Sequence, residues 1–363
     1  MRIFRSLEEA RASFAPSAVT IGNFDGVHAA HHELMRTVVG LARECGARPS
    51  ALTFSPHPAE VVAPERAPLL LSSPAERCAL MERDGVEQAL ILPFDEHVSS
   101  LDPEAFFREI LVDTLGARAV VVGENFLFGR KQRGDVRTLR ALGERYGVRI
   151  GIVPAVKWRG VLVSSSEIRR LLAVGDVSRA ARLLGRPFAI AGRVVAGEGR
   201  GRRETVPTLN LEIPSLTLDR AAVPAKGVYI TGTFEDGDGP LRSQTEPLDS
   251  GEVGDSPLCP QRDRVGSPLQ QQRDRQDCPR RRSWRSVTNV GYRPTFGGQH
   301  LTIETFLLDP LEGDAPGRIR VEFLRRIRDE RAFPSAEALR ARIMQDVARA
   351  QAFFRRTERI GLR

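Results

Sequence analysis

Cysteine is scarce: four residues in 363, Cys45, Cys78, Cys259 and Cys278, stand far apart with no CxxC pair. That spacing excludes a disulfide framework and a zinc centre of the paired-cysteine kind. Long apolar runs are missing as well, and no stretch approaches the roughly 18 consecutive apolar residues that a membrane span requires. The opening "MRIFRSLEEARASF" carries acidic residues early and lacks an apolar core before a small-residue cleavage site. No secretory signal is read there, and the cytoplasm is the expected compartment.

What is present suits a soluble globular chain. Hydrophobic residues make up 41% of 363, enough for a sizeable core, and the length predicts two domains. The net charge of +8 is unevenly spread, since residues 256 to 285 hold eight Arg against three Asp. In that segment "SPLCPQRDR" (256–264) recurs as "SPLQQQRDR" (267–275), and Gly-, Ser- and Pro-rich sequence surrounds it. Too little there can be buried to offset the entropy of ordering, so residues 235–284 are expected to form a disordered insertion. The Arg-rich repeats read as a solvated spacer rather than a nucleic-acid arm.

The remaining chain has two textures. Up to about residue 155, the runs "SAVTIGNF", "PSALTFS", "QALILPF", "ARAVVVG" and "VRIGIVP" alternate with helix-spaced segments such as "PEAFFREILVDTLG". This predicts an α/β domain with a parallel sheet, whose ligand site lies beyond the carboxyl ends of the strands. "SSSEIRRLLAVGDVSRAARLLGR" predicts two short helices joined at Gly175-Asp176. From about 186, "FAIAGRVVAG", "TVPTLNLEI", "KGVYITGTF", "SVTNVGYRP", "LTIETFLLD" and "GRIRVEFLRRI" are short and turn-separated, predicting a small antiparallel β-barrel closed by the helix "SAEALRARIMQDVARAQAFFRR". The expected domains are 1–185 and 186–363.

Within the first domain, "GNFDGVHAAHHEL" (22–34) follows a strand and leads into a helix from about Ala30. Gly22 and Gly26 permit a tight turn and close approach to a ligand, and a helix N-terminus accommodates an anion. His28 and His31, three apart, can both face that anion. The spacing alone also allows a metal pair or surface histidines. Ser164-x-x-Glu167 has the form of a capping box, and Arg169 on the same helix presents a guanidinium suited to a triphosphate or to solvent.

GxFDGxHxxH, with "FSPHP" (54–58), "LPFDEHVSSLDPEAFF" (92–107), "VVGENFLFGRKQRGD" (121–135) and "VSSSEIRRLL" (163–172), resembles the nucleotidyltransferase half of the prokaryotic bifunctional riboflavin kinase/FAD synthetase family. The resemblance implies a Rossmann-like domain that adenylylates FMN, with Asp25 and the glycines shaping the loop and His28 and His31 at the α-phosphate. Gly22, Phe24, Asp25, Gly26, His57, Asn125, Ser165 and Arg169 are then expected around nucleotide and flavin. Ala30 replaces the family's glycine, Asn125 its aspartate, and Ser166-Glu167 its Thr-Arg. "GRVVAGEGRGRRETVPTLNLEIP", "VTNVGYRPTFGG" (287–298), "IETFLLD" (303–309) and "FLRRIRDERAFPSAEALRARIMQD" (323–346) resemble the riboflavin kinase half.

The kinase resemblance implies Mg²⁺ at Thr208 and Asn210, and Glu304 as the base for a riboflavin hydroxyl. Gly197, Arg200, Pro207, Asn289 and Arg328 are implied at the substrates, with Phe333 bordering the flavin. The expected substrates are ATP, riboflavin and FMN. "RETV" (203–206) departs from the family's xLGF. Two alternatives stay open at this point: an adenylyltransferase with an impaired kinase half, and a non-catalytic flavin- or RNA-binding regulator.

Overall fold

The structure, a computed structural model, describes residues 1–195, 208–212, 220–236, 282–295, 298–331 and 333–359. Six parallel strands form the N-terminal sheet: β1 (Arg2–Phe4), β2 (Ser17–Ile21), β3 (Arg48–Phe54), β4 (Gln88–Leu92), β5 (Ala117–Gly123) and β6 (Arg149–Val153). Their order is β1-β4-β3-β2-β5-β6, so the chain reverses direction across the sheet between β2 and β5. In open α/β sheets the ligand crevice lies at such a switch point, beyond the carboxyl ends of the strands. The five longer strands coincide with the predicted runs, β3 starting one residue earlier at Arg48. The three-residue β1, with only Phe4 buried, is too short to announce itself.

Both faces of this sheet are covered, which is why its strands read as continuous apolar runs. Val19, Ile21, Leu52, Leu90 and Val120 pack on one side with Phe107 and Ile110, while Ala18, Ala51, Ala89 and Val121 pack on the other. Helix α1 (Leu7–Ser13) follows β1, and α2 (Ala29–Glu44) crosses from β2 to β3, burying Leu34, Met35, Val38 and Ala42. Two further helices bear on the loop after β2, α3 (Pro58–Val62) and α4 (Pro74–Arg83), while α5 (Val136–Tyr146) packs Leu139 and Leu142 against the sheet.

The helix predicted over "PEAFFREILVDTLG" begins as a single α-turn at Pro103–Ala105, but Phe106–Thr114 is π-helical. The Thr114 hydroxyl donates to the Glu109 carbonyl five residues back, at 2.7 Å, and Phe106, Phe107, Ile110, Leu111 and Thr114 are all buried. The wider winding suits a buried face broader than an α-helix presents. A short hairpin, β7 (Lys157–Trp158) and β8 (Val161–Leu162), was not foreseen.

The predicted helix pair appears as α6 (Ser165–Ala173) and α7 (Val177–Leu184), joined where Gly175 takes φ of +75°. The capping box is only half made: Ser164 Oγ accepts from the Glu167 N–H at 3.2 Å, but the Glu167 carboxylate pairs with Arg170 instead of turning back.

The second unit is a closed six-stranded antiparallel barrel of β9 (Phe188–Val195), β10 (Thr208–Glu212), β11 (Gly227–Glu235), β12 (Ser283–Thr295), β13 (Gly298–Leu307) and β14 (Arg318–Arg328), in the order β10-β13-β12-β11-β14-β9. Helix α8 (Ala336–Arg359) lies against it, with Ala350 beside Val228, Ile230 and Val287. Part of the buried barrel is polar. Thr231 is linked to Ser286 and Thr288, Thr233 to Ser286, and Thr288 to Thr305, by hydroxyl hydrogen bonds of 2.8–3.0 Å, and all five residues are fully buried.

Two boundaries shift. The insertion expected over 235–284 is narrower at both ends: β11 runs through Glu235, β12 starts at Ser283, and Arg282 holds the Glu235 carboxylate with two bonds of 2.9 and 3.0 Å. Residues 237–281, with the Arg-rich repeats, lie outside the described residues. Moreover, Ile168, Leu171, Leu172, Val177, Ala180, Leu183 and Leu184 of α6 and α7 share one core with Phe188, Ile190, Val321 and Phe323 of the barrel. The seam at 185/186 therefore passes through a common core.

Candidate functional sites

The loop between β2 and α2 is bent by three left-handed residues, Phe24 (φ 47°), Gly26 (φ 84°) and Val27 (φ 37°). For Phe and Val this conformation costs about 1–2 kcal/mol each and persists only where surrounding contacts impose it. At Gly26 a side chain would add strain to the positive φ and crowd Leu71 Cδ1 at 3.0 Å; one on Gly22 would meet the Phe24 ring at 3.1 Å.

Asp25 fixes the bend from beneath. Its carboxylate, 1% exposed, accepts from the backbone N–H groups of Leu71 and Ser72 at 2.9–3.0 Å, from Ser72 Oγ at 3.1 Å and from Arg169 at 2.6 Å. Ser165 Oγ donates to the Asp25 carbonyl at 2.8 Å. Arg169, expected at a triphosphate, is thus bonded to Asp25 and, through Nε, to the Leu69 carbonyl at 2.6 Å.

At the end of the bend, His28 caps α2. Its ring stacks on His31 with centroids 3.6 Å apart and an interplanar angle of 14°, while Phe24 meets His31 edge-on at 5.2 Å. His31 Nδ1 accepts from the His28 N–H at 3.3 Å. His28 is 4% exposed, and its Nδ1 has no hydrogen-bond partner among the described residues. Burial, reinforced by His32 and the nearby Arg186 and Arg169, pushes the His28 imidazole down to about 3. Burial and then the His28 neighbour push His31 well below its ordinary value too. Both rings are neutral at pH 7, and a buried nitrogen lacking a partner carries a desolvation cost of roughly 1–3 kcal/mol until one arrives.

His57 joins this group through Asn23, its Nε2 lying 3.1 Å from Asn23 Nδ2, while its Nδ1 accepts from the Ala59 N–H at the start of α3. Asn125 stands exposed in the turn after β5, across the switch point. Ala30, where a glycine was expected, is half-buried and its methyl packs against the shared core. Two arginines that the sequence did not single out hold the loop as well. Arg77 of α4, 1% exposed, donates to the Asn23 carbonyl at 2.9 Å, and Arg186 donates to the carbonyls of Gly26 and Val27.

The barrel gathers the second set. Asn210 on β10 pairs in register with Glu304 on β13, Glu304 with Asn289 on β12, Asn289 with Val228 on β11, and Val228 with Arg328 on β14. Directly opposed residues share a face, so one row of side chains crosses five strands. A cavity of about 610 Å³ lies over this row; Glu304, Asn289, Arg328 and Phe333 line it with Phe306, and Ile343 and Asp346 of α8 form its other wall.

Asp346 was missed by the sequence reading. It is 2% exposed, receives Arg328 Nε at 2.8 Å on Oδ2, and its Oδ1 has no hydrogen-bond partner among the described residues. Arg328 also lies over the Phe333 ring at 5.6 Å. Thr208 opposes Phe306 in register. Gly197, Arg200, Pro207 and the "RETV" segment lie outside the described residues.

Architecture and sites together define a two-domain transferase, an α/β nucleotidyltransferase-type unit followed by a flavokinase-type barrel. Residues 10–167 match the family model described as FAD synthetase, and residues 184–354 the one described as riboflavin kinase. Bifunctional riboflavin kinase/FMN adenylyltransferases are similar over almost the whole chain: that of Pseudomonas fluorescens is 34% identical, with 97% of each chain covered, and that of Escherichia coli K12 is 31% identical, with 98% of each covered. A solved structure titled a macrolide-efflux protein, from Streptococcus pneumoniae, is 26% identical with a TM-score of 0.75, covering 97% of this chain and 99% of that one.

The chain belongs to the bifunctional riboflavin kinase/FMN adenylyltransferase family. Its two activities are phosphorylation of riboflavin and adenylylation of FMN, with ATP, riboflavin and FMN as substrates. Among the described residues no helix is long and apolar enough to cross a membrane.

Proposed function

We propose that the two reactions run at the two separate sites, adenylyl transfer at the His28 loop and phosphoryl transfer in the cavity under α8. The observation that carries the first assignment is the buried, unpartnered Nδ1 of His28 at the start of a 16-residue helix beside the switch point. In adenylylation, an FMN phosphate oxygen forms a bond to the α-phosphorus of ATP, the α–β bridging bond breaks, and pyrophosphate leaves. The nucleophile is already ionised, so no base is needed and the barrier is alignment and charge. His28 and His31 serve this by hydrogen bonding and by drawing a proton when the polyanion offsets their desolvation. Asp25, Ser165 and Arg169 shape the loop, with Gly22, Phe24 and Gly26 as its bend. His57 and Asn125 border the nucleotide or flavin.

Phosphorylation of riboflavin starts from an alcohol, so a base is required. Glu304 takes the hydroxyl proton as the oxygen bonds to the γ-phosphorus and ADP departs. Asn289 and Arg328 orient the substrates, and Phe333 supplies an apolar border for the flavin ring. The carboxamide oxygen of Asn210, in register beside Glu304, suits a hard cation. This fits Mg²⁺, which carries most of its shell as water and substrate phosphate. Thr208 and Asn210 would hold it, and it would neutralise charge on the phosphate oxygens. Gly197, Arg200 and Pro207 complete the ATP side in this reading, and the ATP requirement of both steps favours the cytoplasm.

The test is direct: purified protein is incubated with Mg-ATP and either riboflavin or FMN, and flavins are resolved by chromatography. FAD from both, through FMN in the first case, is expected. His28→Ala should halt at FMN, and Glu304→Gln should make FAD only from supplied FMN; retention of both steps in either variant sinks the assignment.

A further inference from the structure

We infer that Arg186, from the segment that enters the barrel, is a positioning residue of the adenylylation site: its guanidinium holds the Gly26 and Val27 carbonyls and so maintains the bend that delivers His28. The contacts are specific. One terminal nitrogen donates to the Gly26 carbonyl at 2.6 Å, and the other to the Val27 carbonyl at 2.8 Å and the Leu184 carbonyl at 3.3 Å. Arg186 therefore ties the carboxyl end of α7, in the shared core, to the loop of the other unit.

The bend requires such a tie. Val27 is β-branched, fully buried and held at φ 37° immediately before His28. Left-handed backbone disfavours a β-branched residue most, and the relaxed alternative would swing the following residue away. Asp25 secures the loop upstream of Gly26, through Leu71, Ser72 and Arg169. Arg186 secures the two carbonyls downstream, nearest the histidine. Burial pushes its guanidinium down to about 10, which leaves it charged at neutral pH, and its hydrogen bonds go to carbonyls rather than to a carboxylate. The retained charge also favours an anion at His28. Arg186 does not line the kinase cavity, so its loss should separate the two activities.

This inference rests on the assignment of adenylyl transfer to the His28 loop. The experiment uses full-length Arg186→Ala, Arg186→Lys and His28→Ala with Mg-ATP, assaying riboflavin phosphorylation and FMN adenylylation separately. Arg186→Ala should lower adenylylation kcat at least tenfold, with riboflavin phosphorylation within twofold of wild type as the control for folding. Arg186→Lys keeps the charge, but one ammonium cannot reproduce the planar fork; it should recover adenylylation only in part.

If Arg186→Ala loses both activities, Arg186→Lys decides. A kinase-competent lysine variant with adenylylation still depressed tenfold supports the role, and equal recovery or equal loss of both activities overturns it. Adenylylation within twofold of wild type in Arg186→Ala also overturns it, provided His28→Ala abolishes FAD formation. If His28→Ala leaves FAD formation intact, the site assignment itself has failed.

Discussion

The two sites reach opposite electrostatic solutions within one chain. At the His28 loop, two imidazoles are kept neutral by burial, the buried Asp25 carboxylate is consumed by loop hydrogen bonds, and the backbone is strained into place. In the barrel cavity, the Glu304 and Asp346 carboxylates and the Arg328 guanidinium stand among apolar side chains, Glu304 and Arg328 on strands and Asp346 on α8. The proposed assignment of the two reactions accounts for the contrast. A phosphate nucleophile needs repulsion removed, so a carboxylate beside it would hinder; an alcohol nucleophile needs a proton removed, so a carboxylate is required.

The comparison breaks most sharply at Glu304. Glu304→Gln is expected to lower riboflavin phosphorylation by roughly 10²–10⁴-fold while FMN adenylylation stays within twofold, read in separate assays. His28→Ala should do the reverse, lowering adenylylation by about 10²–10³-fold. Equal effects on both reactions would mean that the sites are not independent.

Asp25→Asn sharpens the strain argument. An amide cannot accept the Leu71 and Ser72 donors and Arg169 as the carboxylate does, and breaking a buried pair costs about 3 kcal/mol or more. Urea unfolding should show that loss at neutral pH, and an unchanged midpoint would remove Asp25 from its role as the anchor of the bend.

Acidification separates the regions by sign. Unfolded His28 takes a proton near pH 6.5, but the folded ring refuses it until about 3. Between those values unfolding binds protons, so this group's contribution to stability falls with falling pH, by roughly 1.4 kcal/mol per unit. Glu322 of the barrel, raised by burial above the usual carboxylate range, acts the other way. Its contribution is full below the unfolded value and is lost as pH rises through the folded one. Unfolding at pH 5 and 7 should therefore show a shallower loss on acidification for His28→Gln and a steeper one for Glu322→Gln than for wild type.

The smallest effect is expected at Ala30. Because its methyl packs against the shared core, Ala30→Gly should cost up to about 1 kcal/mol by helix propensity and leave adenylylation within threefold. A larger gain in rate would show that the methyl does obstruct ATP.

Much of this architecture was legible because it is written in periodicity. The runs around β2 to β6 are apolar on both faces, and the barrel strands alternate. β1 failed that test because three residues carry no period. The π-helical stretch was concealed because its apolar spacing is also compatible with an α-helix. Asp25, His28 and His31 were visible as a cluster, and the resemblance gave Asp25 the loop and the histidines the phosphate; the partners of Asp25 were not visible, since only hydrogen-bond geometry shows it bound to Leu71, Ser72 and Arg169. Arg77 offered one overlooked signal, an arginine four residues before buried Met81 on the inward face of α4. Arg186 offered none, since a lone arginine after a helix reads as a solvated end.

The buried hydroxyl seam of the barrel has a consequence for specification. Strand pairing tolerates a slip of one residue only if the exchanged faces are interchangeable. Here a slip of β12 or β13 would turn Ser286, Thr288 and Thr305 outward, strand the hydroxyls of Thr231 and Thr233, and carry Asn289 or Glu304 into the barrel interior. Directional bonds between hydroxyl side chains thus act as a key that only one alignment turns, and residues buried inside the barrel determine where the Glu304 carboxylate will stand.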